Sequence, residues 1–128
     1  MQHGDVGPWN LLWGDDGQTV GVLDWDFAQP GDPWYDTGYS AWFTVPLMDD
    51  DRARERGFPE PPDRLARLDA FAAGAGMNRA GLLEAVQKAQ AEYRHRVISR
   101  RLRGGPWADF HGRGFHDRTA ADQAWTIS

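Results

Sequence analysis

The tripeptide His3-Gly4-Asp5, an Asn at position 10 and the segment Leu23-Asp24-Trp25-Asp26 hold, in order, the residue types that phosphoryl transfer requires. That reaction asks little covalent work of a protein. Its minimum kit is a base beside the acceptor hydroxyl and oxygen ligands for the cation that neutralises phosphate charge. Asp5 on a loop would take the hydroxyl proton, while Asn10 and Asp24 would hold Mg²⁺ on the phosphates of ATP or GTP, since hard oxygen donors suit that ion. Asp26 has three readings: a further metal ligand, an acid behind the ligands, or a solvated loop carboxylate.

Those side chains need elements that bring them together. Between Asn10 and Asp24 the chain reads Leu11-Leu12-Trp13, then Gly14-Asp15-Asp16-Gly17, then Val20-Gly21-Val22-Leu23, which is two short apolar strands around a Gly/Asp turn. Asn10 enters the first strand and Asp24 leaves the second, so antiparallel pairing sets both at one edge, within reach of one cation. Taken singly, an Asp or Asn near Gly7-Pro8 is ordinary turn chemistry. The combination, in this order and around a hairpin, is what points to phosphoryl transfer. Beyond it, Asp32 and Pro33 suit the N-cap and first position of a helix. Trp34, Tyr35, Tyr39, Trp42 and Phe43 follow at helical spacing, and Asp36 falls in the first turn, where the helix N-terminus stabilises it.

The pattern resembles the aminoglycoside phosphotransferase and choline kinase-like family, whose catalytic loop reads His-Gly-Asp, four residues, then Asn, and whose metal motif reads Asp-Trp/Phe-Asp/Glu. Gly31-Asp32-Pro33-Trp34-Tyr35-Asp36 resembles a third motif of that family, Gly-Asp-Pro, two residues, Asp, leading into a helix. The resemblance implies Asp5 as catalytic base, Asn10 and Asp24 as metal ligands, Asp36 as a buried acid bracing the catalytic loop, and His3 as a structural residue of that loop. It also implies the C-terminal lobe of a kinase-like fold. A protein kinase fits less well: those enzymes carry His-Arg-Asp and a long activation segment, whereas this chain has Gly4 and only the stretch from Trp25 to Gly31.

The rest of the chain reads as helices. Asp63 to Ala75 carries Leu65, Leu68, Phe71 and Ala72 on one stripe. Arg79 or Ala80 to about Arg103 carries Leu82, Val86, Ala89, Tyr93, Val97 and Leu102, and Gly104-Gly105-Pro106 stops it. A last segment spans roughly Asp117 to Trp125. The fold class expected is α+β, mostly helical, a short β-hairpin on a helical bundle, with residues 1–128 as a single domain. Lys88, the sole lysine, lies on a predicted helix far from the loop and reads as a surface residue, so the phosphate loop and lysine of a nucleotide-binding N-terminal lobe are not expected within these residues.

Composition narrows the partners. A net charge of −5 argues against a general nucleic-acid surface, and the basic run Arg94 to Arg103 reads as a helix face. No apolar run is long enough for a membrane span, and the absence of cysteine excludes a disulfide framework, which suits a cytoplasmic setting. Asp49-Asp50-Asp51 reads as a solvated loop, or as negative potential favouring a cationic acceptor such as an aminoglycoside. His111, His116 and Gly112-Arg113-Gly114 read as surface and turn residues. The function expected is transfer of a γ-phosphoryl group to a small-molecule hydroxyl, with little turnover by this lobe alone. A non-catalytic kinase-lobe remnant acting as a binding or regulatory module is the rival, and a Mg²⁺-dependent phosphohydrolase is the second; the open face would be covered by a second copy in a homodimer or by the missing N-terminal lobe.

Overall fold

The structure is a computed structural model that describes residues 1–127. A 3₁₀ turn, Pro8–Asn10, leads into β1 (Leu11–Trp13), which pairs antiparallel with β2 (Thr19–Val22). Six helices follow: α1 (Tyr35–Thr44), α2 (Asp50–Glu55), α3 (Arg64–Gly74), α4 (Arg79–Arg100), α5 (Gly105–Gly112) and α6 (Phe115–Ile127). The architecture is therefore mostly helical with one two-stranded sheet, as the sequence predicts. Leu11 faces Val22 in the register and Leu12 faces Gly21, with an irregularity before Trp13.

Caps set most of the helix boundaries. Asp63 accepts the Ala66 N–H at 3.0 Å to open α3, and Asn78 accepts the Gly81 N–H at 2.7 Å to open α4. Three boundaries differ from expectation. Asp32 takes the Trp34 N–H at 2.8 Å in a turn of its own, so α1 begins at Tyr35 and not at Pro33. Asp49-Asp50-Asp51 is no solvated loop: Asp49 accepts the Arg52 N–H at 3.0 Å and caps α2, and Asp50 pairs with Arg64 at 2.8 Å. α4 ends at Arg100, short of the expected Arg103, and a 3₁₀ turn, Arg101–Arg103, leads to Gly104 and Gly105, both at positive φ; Pro106 then occupies the first turn of α5, a helix the sequence did not reveal.

The core lies where α1 and α6 pack on α4. Trp42, Val45, Met48, Leu82, Val86 and Val97 are fully buried in the protein interior. Gly38 permits the close approach of α1 to α4, because a Cβ there would stand 2.1 Å from the Ala85 carbonyl oxygen. The basic stretch of α4 is also not merely a solvated face. Arg96 is buried, donates to Gln2 Oε1 at 2.6 Å, pairs with Glu92 and lies over the Tyr35 ring. Gln2 in turn donates to the Asp32 carbonyl at 2.8 Å and exchanges backbone hydrogen bonds with Gln29. This network moors the N-terminal segment to the bundle.

A second buried polar group joins α1, α2 and α6: Asp122 accepts the Trp42 indole N–H at 3.1 Å and stands 3.2 Å from the Arg52 guanidinium. Burial pushes the Asp122 carboxyl up to about 6, against the opposing pull of Arg52 and the Trp42 hydrogen bond.

Gly38→Ala should lower the unfolding free energy by about 2–3 kcal/mol, since backbone atoms must move to admit the methyl group. Gly74→Ala, where a Cβ meets nothing within 4 Å, should be neutral or slightly stabilising in the same urea titration. Because the folded-state pKa of Asp122 is raised, its favourable contribution is complete below the unfolded value and is lost as pH rises through about 6. The stability of Asp122→Asn relative to the parent chain should thus improve by about 2 kcal/mol between pH 4 and pH 7, measured by chemical denaturation at each pH.

Candidate active site

The loop His3-Gly4-Asp5 is held from below by one carboxylate. Asp36, in the first turn of α1, accepts the His3 N–H at 2.6 Å on Oδ2 and the Gly4 N–H at 2.9 Å on Oδ1. Two charge-assisted bonds from consecutive amides fix the direction in which the loop leaves the helix. Gly4 is required at its position on two counts: its φ is +88°, and a Cβ would lie 2.6 Å from the Phe27 carbonyl oxygen.

His3 is buried and joins the loop to the end of the hairpin. Its Nδ1 accepts the Asp5 N–H at 3.2 Å, which leaves the proton on Nε2, where it is donated to the Leu23 carbonyl at 2.7 Å. The Trp25 ring meets the imidazole edge-on at 4.5 Å. One side chain therefore spans from the backbone of Asp5 to that of Leu23, the residue before Asp24.

Asp5 is only partly exposed, and both of its oxygens are aimed. Tyr39 donates to Oδ1 at 2.8 Å, while Asn10 and Trp9 donate to Oδ2 at 3.0 and 3.3 Å. Burial, then the Asp5 charge, pushes the Tyr39 hydroxyl well above its ordinary range, so it remains a donor. Asn10 also donates to the Asp5 carbonyl at 2.8 Å. Both of its partners are acceptors, so the amide nitrogen faces them and Oδ1 is the oxygen left for another group.

The hairpin pairs antiparallel, and its two ends meet through the backbone. The Asn10 carbonyl accepts the Leu23 N–H at 2.8 Å, which brings the residue before β1 beside the one that follows β2. Asp24 comes next with φ +57°, a left-handed conformation that Asp tolerates better than most side chains and that clusters at functional sites. Its carboxylate, like that of Asp26, is exposed; Asp26 makes no side-chain hydrogen bond or ion pair among the described residues. No group of three His, Cys, Asp or Glu side chains gathers among the described residues, and His116 meets only its neighbour Asp117 at 3.3 Å.

Beside Asp5 opens a cavity of about 220 Å³. Trp9, Phe27, Tyr93 and Trp107 form its walls together with Arg52, Arg56 and Arg118. Motif reading did not foresee these wall residues or the part played by Tyr39, which it placed only on an apolar stripe. A signal was present, since Tyr39 follows Asp36 by three residues on one helix, and such residues share a face. Asp36 meets the first two loop residues and Tyr39 meets the third.

Residues 1–71, more than half of the chain, match the family model described as "Phosphotransferase enzyme family". Among curated proteins, the chain is similar to the trifolitoxin immunity protein of Rhizobium leguminosarum bv. trifolii, at 31% identity over 77 residues. That alignment takes in 60% of this chain and 29% of the immunity protein, so the chain spans well under half the length of this relative. No solved structure matches the chain.

Asp36→Ala should expose the role of the clamp. With two N–H groups left without an acceptor, unfolding should become easier by roughly 2–4 kcal/mol. The amides of His3 and Gly4 should lose their hydrogen-exchange protection while those of α4 keep it. Retained protection at His3 and Gly4 would mean that the loop is held by something other than Asp36.

Proposed function

This chain belongs to the phosphotransferase enzyme family, and from that premise we propose that it forms the C-terminal lobe of a kinase-like enzyme moving the γ-phosphoryl group of ATP or GTP to a small-molecule hydroxyl. The observation that supports this reading is the Asp5 carboxylate, oriented by Tyr39 and Asn10 at the mouth of a cavity, with Leu23, the residue before Asp24, hydrogen-bonded to the Asn10 carbonyl.

In this reading the acceptor enters the cavity and presents its hydroxyl to Asp5, which takes the proton as the oxygen attacks. Tyr39 and Asn10 hold the carboxylate still, so that its lone pair meets the hydroxyl without reorganisation. The donor set suits Mg²⁺: Asn10 Oδ1 and the Asp24 carboxylate are hard oxygens, and this ion is commonly held by one or two side chains plus substrate phosphates and water. When bound, the ion supplies neutralisation of phosphate charge. Asp26 stands two residues on, exposed, and can assist Asp24. His3 and Asp36 act by positioning, through the backbone of the loop.

In this reading the lysine that pairs with nucleotide phosphates belongs to another lobe. Lys88 is exposed on α4, paired with Glu84 at 2.9 Å. The hairpin region also exposes Leu12, Trp13, Val20, Leu23 and Trp25, an apolar surface that a nucleotide-binding lobe would cover. The same exposure favours a second reading, a binding module that uses this surface for a partner.

The test is phosphoryl transfer from γ-labelled ATP to a panel of alcohols. The 128-residue chain should turn over slowly, and Asp5→Asn should remove roughly 10²- to 10⁴-fold of whatever rate is present. Transfer that survives Asp5→Asn unchanged would remove Asp5 from the role of base. A failure to transfer or to bind nucleotide even with a phosphate-binding lobe supplied would favour the module.

A further inference from the structure

The walls of the cavity beside Asp5 carry information about what the acceptor is. Asp5 is the single carboxylate among the lining residues, against three guanidiniums, Arg52, Arg56 and Arg118. Arg52 is held by Asp122 at 3.2 Å. Arg56 and Arg118 have no carboxylate partner among the described residues; Arg56 lies over the Phe43 and Trp9 rings at 4.9 and 5.6 Å, and Arg118 over Phe115 at 5.6 Å. The acidic run Asp49-Asp50-Asp51 does not line the cavity; it caps α2, the helix from which Arg52 projects. Arg56 follows directly after that helix.

A polycation placed here would meet Arg56 and Arg118, with Asp5 as the one carboxylate in the wall, within a ring-walled space. An anion would find forked donors suited to a carboxylate. The remaining wall is aromatic, which favours a flat apolar body. A volume of about 220 Å³ is below the ~300–1,000 Å³ typical of pockets for drug-sized ligands, so the site suits one substituted ring.

We propose that the acceptor is a small hydroxylated aromatic carboxylate, its ring packed between the aromatic walls, its carboxylate on Arg56 and Arg118, and its alcohol directed to Asp5. This rests on the phosphotransferase reading for the fate of the hydroxyl, but the recognition itself needs no nucleotide.

The experiment is therefore a binding titration of the full chain without nucleotide, using 4-(hydroxymethyl)benzoate, benzyl alcohol and kanamycin as probes. It follows the indole N–H resonances of Trp9 and Trp107. The carboxylate should bind saturably, shift both resonances and exceed the neutral alcohol by about tenfold or more, the usual worth of a charge-assisted contact. In the double variant Arg56→Gln, Arg118→Gln that preference should vanish, and Arg56→Lys with Arg118→Lys should restore part of it. Unchanged circular dichroism spectra would establish that both variants fold. Equal binding of the acid and the neutral alcohol, no saturable binding of the acid, or tighter binding of kanamycin would overturn the proposal. So would a double variant that loses ATP binding but keeps the acid preference. The Asp5→Asn transfer assay stands or falls separately, because a preference for the acid with no transfer would retain the recognition and remove the chemistry.

Discussion

The carboxylate of Asp36, fixed in the first turn of α1, accepts the N–H groups of His3 and Gly4, and the candidate catalytic groups are placed relative to that contact. The loop it holds carries Asp5 one residue further on. From the same loop His3 reaches the Leu23 carbonyl and so sets the end of β2, where Asp24 begins. Asn10 closes the arrangement by donating to both the carbonyl and the carboxylate of Asp5. Helix, loop and hairpin are thereby joined by directional bonds and not only by packing. Because α1 itself is pressed against α4 at Gly38, the stiffness of the site derives from the bundle beneath it.

Polar groups buried in this small chain serve the same end. Gln2 and Arg96 tie the segment before the loop to α4, and Asp122 with Trp42 and Arg52 ties α6 to α1 and α2. Desolvating such groups is costly, and removing one partner costs more than the pair contributes, so they serve to specify one arrangement more than to add stability. The consequence for the site is directional: Arg52 is held at the cavity by Asp122, while Arg56 and Arg118 remain able to meet a ligand.

Much of this was readable from residue order. His3, Asp5, Asn10, Asp24 and Asp36 are close in sequence or joined by one hairpin and one helix cap, and local rules of turn, strand and cap chemistry govern where they lie. The hairpin and the starts of α3 and α4 emerged for the same reason. What the sequence did not reveal depends on distant contacts. Arg96 looks like any surface arginine of a long helix until Gln2, far away in the chain, is laid against it. Tyr39 looks apolar until Asp5 meets its hydroxyl. The cavity walls come from the loop, α1, α2, α4, α5 and α6 together, and α5 was hidden because its opening glycines and proline carry the signal of a stop.

In the proposed function, Asn10 and Asp24 would hold one cation beside Asp5. Paramagnetic relaxation by Mn²⁺ with ATP, read in ¹H–¹⁵N spectra, tests it most directly. Selective broadening is expected at the Asn10 side-chain amide and at the backbone amides of Asp24 and Asp26, abolished in the double variant Asn10→Ala, Asp24→Ala. Broadening centred instead on Asp49 to Asp51 or on His116 and Asp117, or spread evenly over surface carboxylates, would contradict it.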